Sequence, residues 1–134
     1  MTPQVGYLDL DDLLYLARQL LRDPPPVRDI GLLGAAAARP QTSVFGEDAY
    51  PSIWEKAAAL LQSLVKNHPL VDGNKRLGWL ATAVFLEINK VNVTDIPNDD
   101  VYRFVVRVAG GQHDVAELAA DLEGLAHKRS DKGR

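Results

Sequence analysis

Apolar residues recur at helical spacing along almost the whole chain, and this periodicity constrains the fold more than any other feature. The strongest stretch runs from Leu77 to Leu86, within a helix predicted to end near Asn89. One side of this helix is a stripe of Leu77, Leu80, Ala81, Val84, Phe85 and Ile88, and apolar residues outside the stripe extend over much of the circumference. A helix of that kind is buried among others. The 134 residues suit one domain of ordinary size. We therefore predict a compact all-α domain of six helices, with the helix that begins near residue 74 at its centre.

Capping signals set the predicted boundaries of the helices. Asp9 and Ser52 are each followed three residues later by an acidic residue, which is the capping-box pattern of a helix N-terminus. The full set of predicted N-caps is Asp9, Asp29, Ser52, Asn98 and Asp114. By contrast, the stretch from Gln41 to Pro51 lacks helical periodicity and contains Gly46, so we predict a loop or a short hairpin there.

Charge and composition narrow the range of functions. The last seven residues carry four basic side chains and one acid, so residues 1–127 account for a net charge of −6 within a total of −3. We predict a single domain over residues 1–127 and a basic, disordered tail over residues 128–134. An acidic body repels phosphate backbones, which argues against direct binding of nucleic acid.

The chain contains no cysteine, which excludes disulfides, a thiol nucleophile and cysteine-ligated metal sites, and which favours the cytosol. The longest nearly apolar run, residues 77–86, is far shorter than the roughly 20 residues that span a bilayer. The N-terminus lacks the basic and apolar pattern of an export signal. We therefore expect a cytoplasmic protein without a membrane partner.

One polar segment, residues 68–76, separates two strongly apolar helices and contains the residues best suited to chemistry. Pro69 disfavours helical dihedrals at His68, so the preceding helix should end there and present the imidazole from a turn. Gly73 permits an unusual backbone angle immediately before the next helix. The first amides of that helix should then point outward at the positive end of its dipole, which favours anions.

The side chains around this helix start extend the predicted anion site. Asn74, Lys75 and Arg76 are donors, and an arginine can grip a phosphate through two parallel hydrogen bonds. Asp72 is a carboxylate within this positive cluster, and magnesium explains its presence. That ion usually takes one or two protein carboxylates and completes its shell with water and substrate phosphates. A nucleotide polyphosphate with Mg²⁺ is therefore the ligand that the pattern favours.

Histidine titrates near neutral pH, so His68 can accept a proton from an attacking hydroxyl. Together these groups indicate phosphoryl or nucleotidyl transfer without a covalent intermediate. The segment also has an ordinary interpretation as a helix connection, with Lys75 and Arg76 on a solvated face. Spacing alone does not separate these readings, because short motifs match often by chance.

Residues 68–76 resemble the signature of the Fic/Doc family, in which His, an aromatic or apolar residue, Asp or Glu, Gly or Ala, Asn, Gly or Lys, and Arg follow in this order. The similarity to the death-on-curing branch covers roughly residues 7–125, including the stretches 28–33, 38–41, 50–51 and 55–58. Two positions depart from the pattern. Leu70 replaces the usual Phe and offers less contact area, and Gly73 replaces the Ala of some members.

The resemblance implies a role for each matching residue. His68 corresponds to the general base, and the resemblance implies that Arg76 is also a catalytic residue. Asp72 corresponds to the ligand of Mg²⁺. The residues that correspond to the binding loop for the phosphates of ATP are Gly73, Asn74, Lys75 and Arg76.

Two positions favour one branch of the family. Nucleotidyl-transferring members generally have Gly at the position of Lys75 and a second Arg where this chain has Trp79. Death-on-curing toxins have the Lys and lack that second Arg. They resemble kinases that bind the nucleotide in reversed orientation and phosphorylate a hydroxyl of translation elongation factor Tu. The alternatives are transfer of AMP or UMP, and a catalytically silent protein that binds only nucleotide or antitoxin.

The resemblance also implies partners. A toxin of this type is paired with an antitoxin whose disordered segment folds into a groove between helices. The stretch 41–51 takes the place of the family's flap, which lies along the target polypeptide; a plain surface loop is the alternative. Four other candidates are excluded from the site because their spacing favours packing, capping or exposure, namely Trp54, Trp79, His113 and His127.

Overall fold

The computed structural model describes the backbone of residues 4–132 and the side chains of residues 4–127. Its helices are α1 (Leu10–Leu20), α2 (Ile30–Ala38), α3 (Ile53–Asn67), α4 (Asn74–Ile88), α5 (Asn98–Gly110) and α6 (Val115–Lys132). A 3-10 turn at Arg39–Gln41 and an antiparallel hairpin lie between α2 and α3, and the strands of the hairpin are β1 (Ser43–Val44) and β2 (Glu47–Asp48). The predicted all-α, six-helix domain is confirmed.

Local capping explains where these helices begin. Asp9 and Ser52 form the predicted capping boxes, and the Asp29 side chain accepts a hydrogen bond from the third residue of α2. The prediction was wrong by one residue at α5, where the N-cap is Pro97 and not Asn98. The Pro97 carbonyl already accepts the first helical hydrogen bonds, so the helix does not depend on a side-chain cap there.

The core lies around α3 and α4. Helix α3 packs against α2, α4, α5 and α6, while α4 also contacts α1 and α5. The two central helices approach closely at Gly78, where an added Cβ would lie 2.7 Å from the Val65 side chain. The side chains enclosed at the centre include Leu13, Leu33, Leu61, Leu64, Leu77, Phe85, Leu118 and Leu122.

The apolar surface of α4 is divided between the core and an exposed groove. Leu77 and Phe85 are buried as predicted, but Ile88, which we placed on the same side, is 46% exposed. Leu86 is fully buried instead, so the enclosed face is rotated relative to the predicted stripe. Neighbouring helices therefore decide which part of a broadly apolar helix is covered. The remaining apolar residues, among them Trp79, border solvent.

At the C-terminus, α6 continues through Lys132, whereas we placed the end of the domain at residue 127. Lysine and arginine have high helix propensity, which is consistent with the longer helix. Of the predicted basic tail, residues 128–134, only the backbone of residues 128–132 belongs to the described part of the chain. Over residues 4–132, no helix combines the length and the hydropathy that a bilayer span needs.

Candidate active site

His68 ends α3 in a left-handed conformation, with φ 51° and ψ 59°. The sequence predicted the end of the helix but not this geometry, which is uncommon for a residue with a side chain. Arg28 explains how it is held. The Arg28 Nε donates to the His68 carbonyl at 2.7 Å, and its Nη2 donates to the Asn67 carbonyl at 3.1 Å. These bonds satisfy carbonyls at the end of α3 that have no helical partner.

The histidine turn, which we define as residues 68–73, is fastened along its length to the segment between α1 and α2. The Pro69 carbonyl accepts hydrogen bonds from the backbone N–H of Arg28 and Asp29, at 2.8 and 3.0 Å. The Val71 N–H donates to the Pro26 carbonyl at 2.8 Å. Leu70 is 1% exposed, so leucine preserves the burial expected of the usual Phe. The turn is therefore fixed by backbone hydrogen bonds as well as by packing.

Asn74, the first residue of α4, closes the turn from inside. Its Oδ1 accepts from the Leu70 N–H at 2.9 Å, and its Nδ2 donates to the Leu70 carbonyl at 3.0 Å. The side chain is buried. We expected Asn74 to bind phosphate; its side chain instead has a loop-closing role that the sequence did not reveal. Asn74 therefore contributes to an anion site chiefly through its position at the start of α4, and not through its side chain.

The same amide nitrogen lies 3.4 Å from Nδ1 of His68. An amide N–H can only donate, so in this orientation a neutral imidazole would carry its proton on Nε2. A base needs an available ring lone pair, and the Asn74 contact occupies the one on Nδ1. At 3.4 Å the contact is longer than an ordinary hydrogen bond of about 2.7–3.2 Å. The His68 side chain is exposed, so its ring has room to turn as a substrate enters.

Gly73 precedes α4 with φ 84°, as predicted, and no side chain caps the first amides of the helix. An added Cβ would lie 2.7 Å from the Leu21 side chain, so the end of α1 packs directly against this glycine. Lys75 and Arg76 extend from the first turn of α4 and are exposed. Within residues 4–127 neither forms an ion pair. The amides and the two cations make this helix start attractive to anions.

Asp72 lies at the mouth of the site, where its carboxylate is 3.4 Å from Nη1 of Arg22. Among the described residues no group of three or more His, Cys, Asp or Glu side chains is arranged to hold a metal. A single carboxylate does not make a complete metal cage. It does suit an ion such as Mg²⁺, which takes much of its shell from water and from substrate phosphates.

These residues surround one cavity of about 520 Å³. Its lining consists of His68, Val71, Asp72, Gly73, Asn74, Lys75 and Arg76. All six residues that we predicted for catalysis, phosphate binding or metal binding therefore lie around the same space. Such a volume is within the usual range for small-ligand sites. The histidine faces the cavity, which a transfer reaction at this helix start requires.

A second cavity, of about 480 Å³, lies along the outer face of α4 and is almost entirely apolar. We call it the apolar groove. Its lining consists of Leu20, Lys75, Arg76, Trp79, Leu80, Ala83, Asn98, Val101, Tyr102, Val105 and Val106. Trp79 thus lies in this groove and does not line the polar cavity. Lys75 and Arg76 border both spaces, so they connect the candidate active site with the groove.

The predicted flap, residues 41–51, contains the short hairpin and is fastened at its base. Lys56 is 2% exposed, and its Nζ contacts the Asp48 carboxylate at 3.1 Å and the Tyr50 carbonyl. Arg39 donates to the Tyr50 hydroxyl at 3.1 Å. At the tip, by contrast, Phe45 is fully exposed. The hairpin interpretation is confirmed, and the structure adds its two cationic anchors.

The remaining histidines lie elsewhere. His113 contacts Glu117 at 2.8 Å, and His127 is an exposed residue that meets the edge of Trp54. Sequence reasoning missed Arg22, Arg28 and the packing role of Leu21, each of which reaches the site from a distant part of the chain. Only the similarity around residues 28–33 drew attention to one of them.

Comparison with known proteins identifies relatives of this chain. The family model described as "Fic/DOC family" matches residues 7–86, which include α1 to α3, the whole histidine turn and α4 as far as residue 86. A protein named "Toxin Doc" from Mycolicibacterium smegmatis (strain ATCC 700084 / mc(2)155) is 49% identical over 121 residues. The alignment covers 90% of this chain and 93% of that protein. The similarity therefore extends beyond the site to nearly the whole fold.

Proposed function

The chain belongs to the Fic/DOC family, on its death-on-curing toxin branch, and from this premise we propose that it is the toxin of a toxin–antitoxin pair. In this proposal it acts in the cytosol as a kinase. It transfers the terminal phosphate of ATP to a Ser or Thr hydroxyl of a translation factor similar to elongation factor Tu, and so arrests translation.

One observation carries the proposal: a single cavity is lined by an imidazole, a carboxylate and two cations at the start of a helix. Phosphoryl transfer depends on positioning and on charge neutralisation, and it needs no covalent intermediate on the protein. The cavity offers groups for each of these tasks. A binding protein would need the cations but would have no use for a proton acceptor.

In the proposed reaction His68 accepts the proton of the target hydroxyl. Lys75, Arg76 and the amides at the start of α4 hold the phosphates, and Arg76 also neutralises charge that develops during transfer. Asp72 would hold Mg²⁺, which when bound neutralises phosphate charge. The transferred phosphoryl group leaves ADP and joins the target oxygen, while the hydroxyl proton passes to the imidazole.

Lys75 and Trp79 favour kinase chemistry over nucleotidyl transfer. Lys75 places a cation on the rim of the polar cavity, where nucleotidyl-transferring relatives generally have Gly. At the position of their second Arg, this chain has an indole that lines the apolar groove. The cavity therefore lacks the cation that would grip a phosphate from that position, so a different orientation of the nucleotide is supported.

Labelled ATP separates the two reactions. Purified elongation factor Tu is incubated with the protein and with ATP labelled on either the α or the γ phosphate. The proposal expects only the γ label on the factor, and labelling that is slower by about 100-fold or more when His68→Ala or Asp72→Asn replaces the wild-type protein. Transfer of the α label would establish nucleotidyl transfer instead. Unchanged growth inhibition by a folded His68→Ala variant would support the catalytically silent alternative.

The apolar groove is our proposed docking site for the antitoxin. An amphipathic helix buries its apolar face in such a groove, and the cationic rim suits a segment with an acidic residue nearby. Tyr102 and Val106 line the groove and are 69% and 39% exposed. Replacing either by Glu should abolish antitoxin binding and spare nucleotide binding. Tyr15→Glu is the matched control, since Tyr15 is 56% exposed on α1 outside the groove.

A further inference from the structure

The end of α1 lies beside the start of α4, next to residues that line the polar cavity. Leu21 packs against Gly73, and the next residue, Arg22, places its guanidinium 3.4 Å from the Asp72 carboxylate. Fifty residues separate the two charged groups in sequence. The residues that precede the two charged groups are held in place, since Leu21 packs against Gly73 and the Val71 N–H donates to the Pro26 carbonyl, so the fold brings the pair together.

Arg22 and Asp72 are 55% and 64% exposed, so the pair contributes little to stability. Its effect on the site is a different matter. An unpaired carboxylate at the mouth of a phosphate cavity repels a nucleotide that arrives without metal. A guanidinium beside it cancels that repulsion. If a metal ion binds the Asp72 carboxylate, the metal would neutralise its charge, and the arginine would no longer be needed for that purpose.

We propose that Arg22 is a positioning residue of the active site, which neutralises and orients Asp72 until a divalent cation takes over that carboxylate. The inference rests on the proposed binding of ATP and Mg²⁺. The proposed role predicts that nucleotide affinity differs less between the metal-free and the Mg²⁺-containing conditions when Arg22 is present than when it is replaced. The effect is specific to the metal-free state, because only there does the carboxylate face the incoming phosphates without another partner.

Calorimetry with the non-hydrolysable analogue adenylyl imidodiphosphate tests this prediction at low ionic strength, where screening is weak. Affinity is measured with excess EDTA and with excess MgCl₂. In Arg22→Met, we expect the metal-free affinity to fall about fivefold, as for the loss of an exposed ion pair. The affinity with Mg²⁺ should change by less than about twofold. Arg22→Lys, which keeps the charge, should behave like the wild-type protein.

Two controls distinguish this role from a structural one. Arg18→Met removes the same charge from α1 at a residue that forms no ion pair within residues 4–127, and it should leave both affinities unchanged. In an Asp72→Asn background, Arg22→Met should no longer reduce the metal-free affinity, because no carboxylate remains to be neutralised. Melting temperatures should be the same for the wild type and the Arg22 variants.

Each outcome has a defined meaning. An equal loss of affinity with and without metal in Arg22→Met, or the same metal-free loss in the Asp72→Asn background, would overturn the positioning role. If the wild-type protein binds no nucleotide in either condition, the proposed function fails and this inference fails with it. If the wild type binds with metal but Arg22→Met leaves the ratio of affinities unchanged, only the inference about Arg22 is overturned.

Discussion

The histidine turn and the flap lie at opposite ends of α3, and the structure holds them in different ways. Both contain residues with positive φ, namely His68 and Gly73 in the turn and Phe45 and Gly46 in the flap. The turn is bonded along its whole length to the segment before α2 and to Asn74. The flap is fastened only at its base, and its tip is exposed. Under the proposed function this difference is expected, because reacting groups need fixed positions, whereas contact with a protein target tolerates a hairpin that adapts.

Of the substitutions that compare the two regions, Asn74→Ala, which affects the turn, should have the largest effect. This change leaves the Leu70 N–H and carbonyl without their partner, which costs about 1–3 kcal/mol of stability for a buried group. A misplacement of about 1 Å in a reacting group can reduce turnover about 100-fold, and we expect a loss of that order in phosphoryl transfer. Steady-state transfer to the protein target measures it.

Asn89→Ala is the matched control for this change. Asn89, at the other end of α4, makes the same pair of hydrogen bonds with the backbone of Gly6, both at 2.9 Å. Its loss should lower the melting temperature but spare turnover in the remaining folded protein. Equal losses of turnover in the two variants would show that Asn74 acts only through global stability.

Two glycine substitutions compare the packing of the two regions directly. Gly73 and Gly46 have nearly the same φ, 84° and 81°, so alanine adds a similar backbone strain of about 1–2 kcal/mol at each. A Cβ at Gly73 meets Leu21 at 2.7 Å, while nothing lies within 4 Å of one at Gly46. Gly73→Ala should therefore destabilise the protein by about 1–3 kcal/mol more, as overpacking does.

Chemical denaturation of the two glycine variants gives this difference. Gly73→Ala should also weaken nucleotide binding, because the strain falls on the start of α4, and Gly46→Ala should not. Equal free energies of unfolding would mean that Leu21 yields easily, and the idea of a rigid turn would then lose its support.

The anchor of the flap is tested by Lys56→Met. The Tyr50 carbonyl and the Asp48 carboxylate lose their buried partner, so the base of the hairpin should loosen. We expect transfer to the protein target to fall about tenfold, equivalent to about 1.4 kcal/mol, while nucleotide affinity remains the same.

Lys66→Met serves as the control for Lys56. Lys66 lies on the same helix and makes the same kind of bond, with its Nζ 2.6 Å from the Gly111 carbonyl near the end of α5. Loss of this bond should affect stability and leave transfer unchanged. A similar fall in transfer for both lysine variants would contradict a specific role for the flap.

The smallest expected effect concerns the tip of the flap. Phe45→Ala should change the free energy of unfolding by less than about 0.5 kcal/mol, because the side chain is fully exposed. If the tip contacts the target, KM for the protein substrate should rise about fivefold, as for a moderate interface contact. Tyr15→Ala, at another exposed aromatic, should leave KM unchanged, and an unchanged KM for Phe45→Ala would leave the tip without a role in recognition.

Local patterns in the sequence predicted most of the fold. The capping boxes of Asp9 and Ser52, the hairpin before α3 and the glycine before α4 all depend on residues close together in the chain. The covered face of α4 was less predictable, since Leu86 and Ile88 are both apolar and only neighbouring helices decide which is buried. The positive φ of His68 was hidden for a similar reason, because Arg28 holds that turn from a distance.

The same division applies to the candidate site. Its main residues are consecutive or nearly so, from His68 to Arg76, and a motif could therefore identify them. Arg22 and Leu21 reach the site from the end of α1, which no local pattern places there. The motif also did not indicate that the Asn74 side chain points into the loop. It does so because its amide forms hydrogen bonds with both the N–H and the carbonyl of Leu70.

The most direct test of the central claim is the intact mass of elongation factor Tu after incubation with ATP and Mg²⁺ in the presence of the protein. The account predicts the addition of a single phosphoryl group by the wild type, and a rate lower by about 10²- to 10⁴-fold for His68→Ala, as for the loss of a general base. Addition of a nucleotidyl group, or equal phosphorylation by folded His68→Ala, would contradict it.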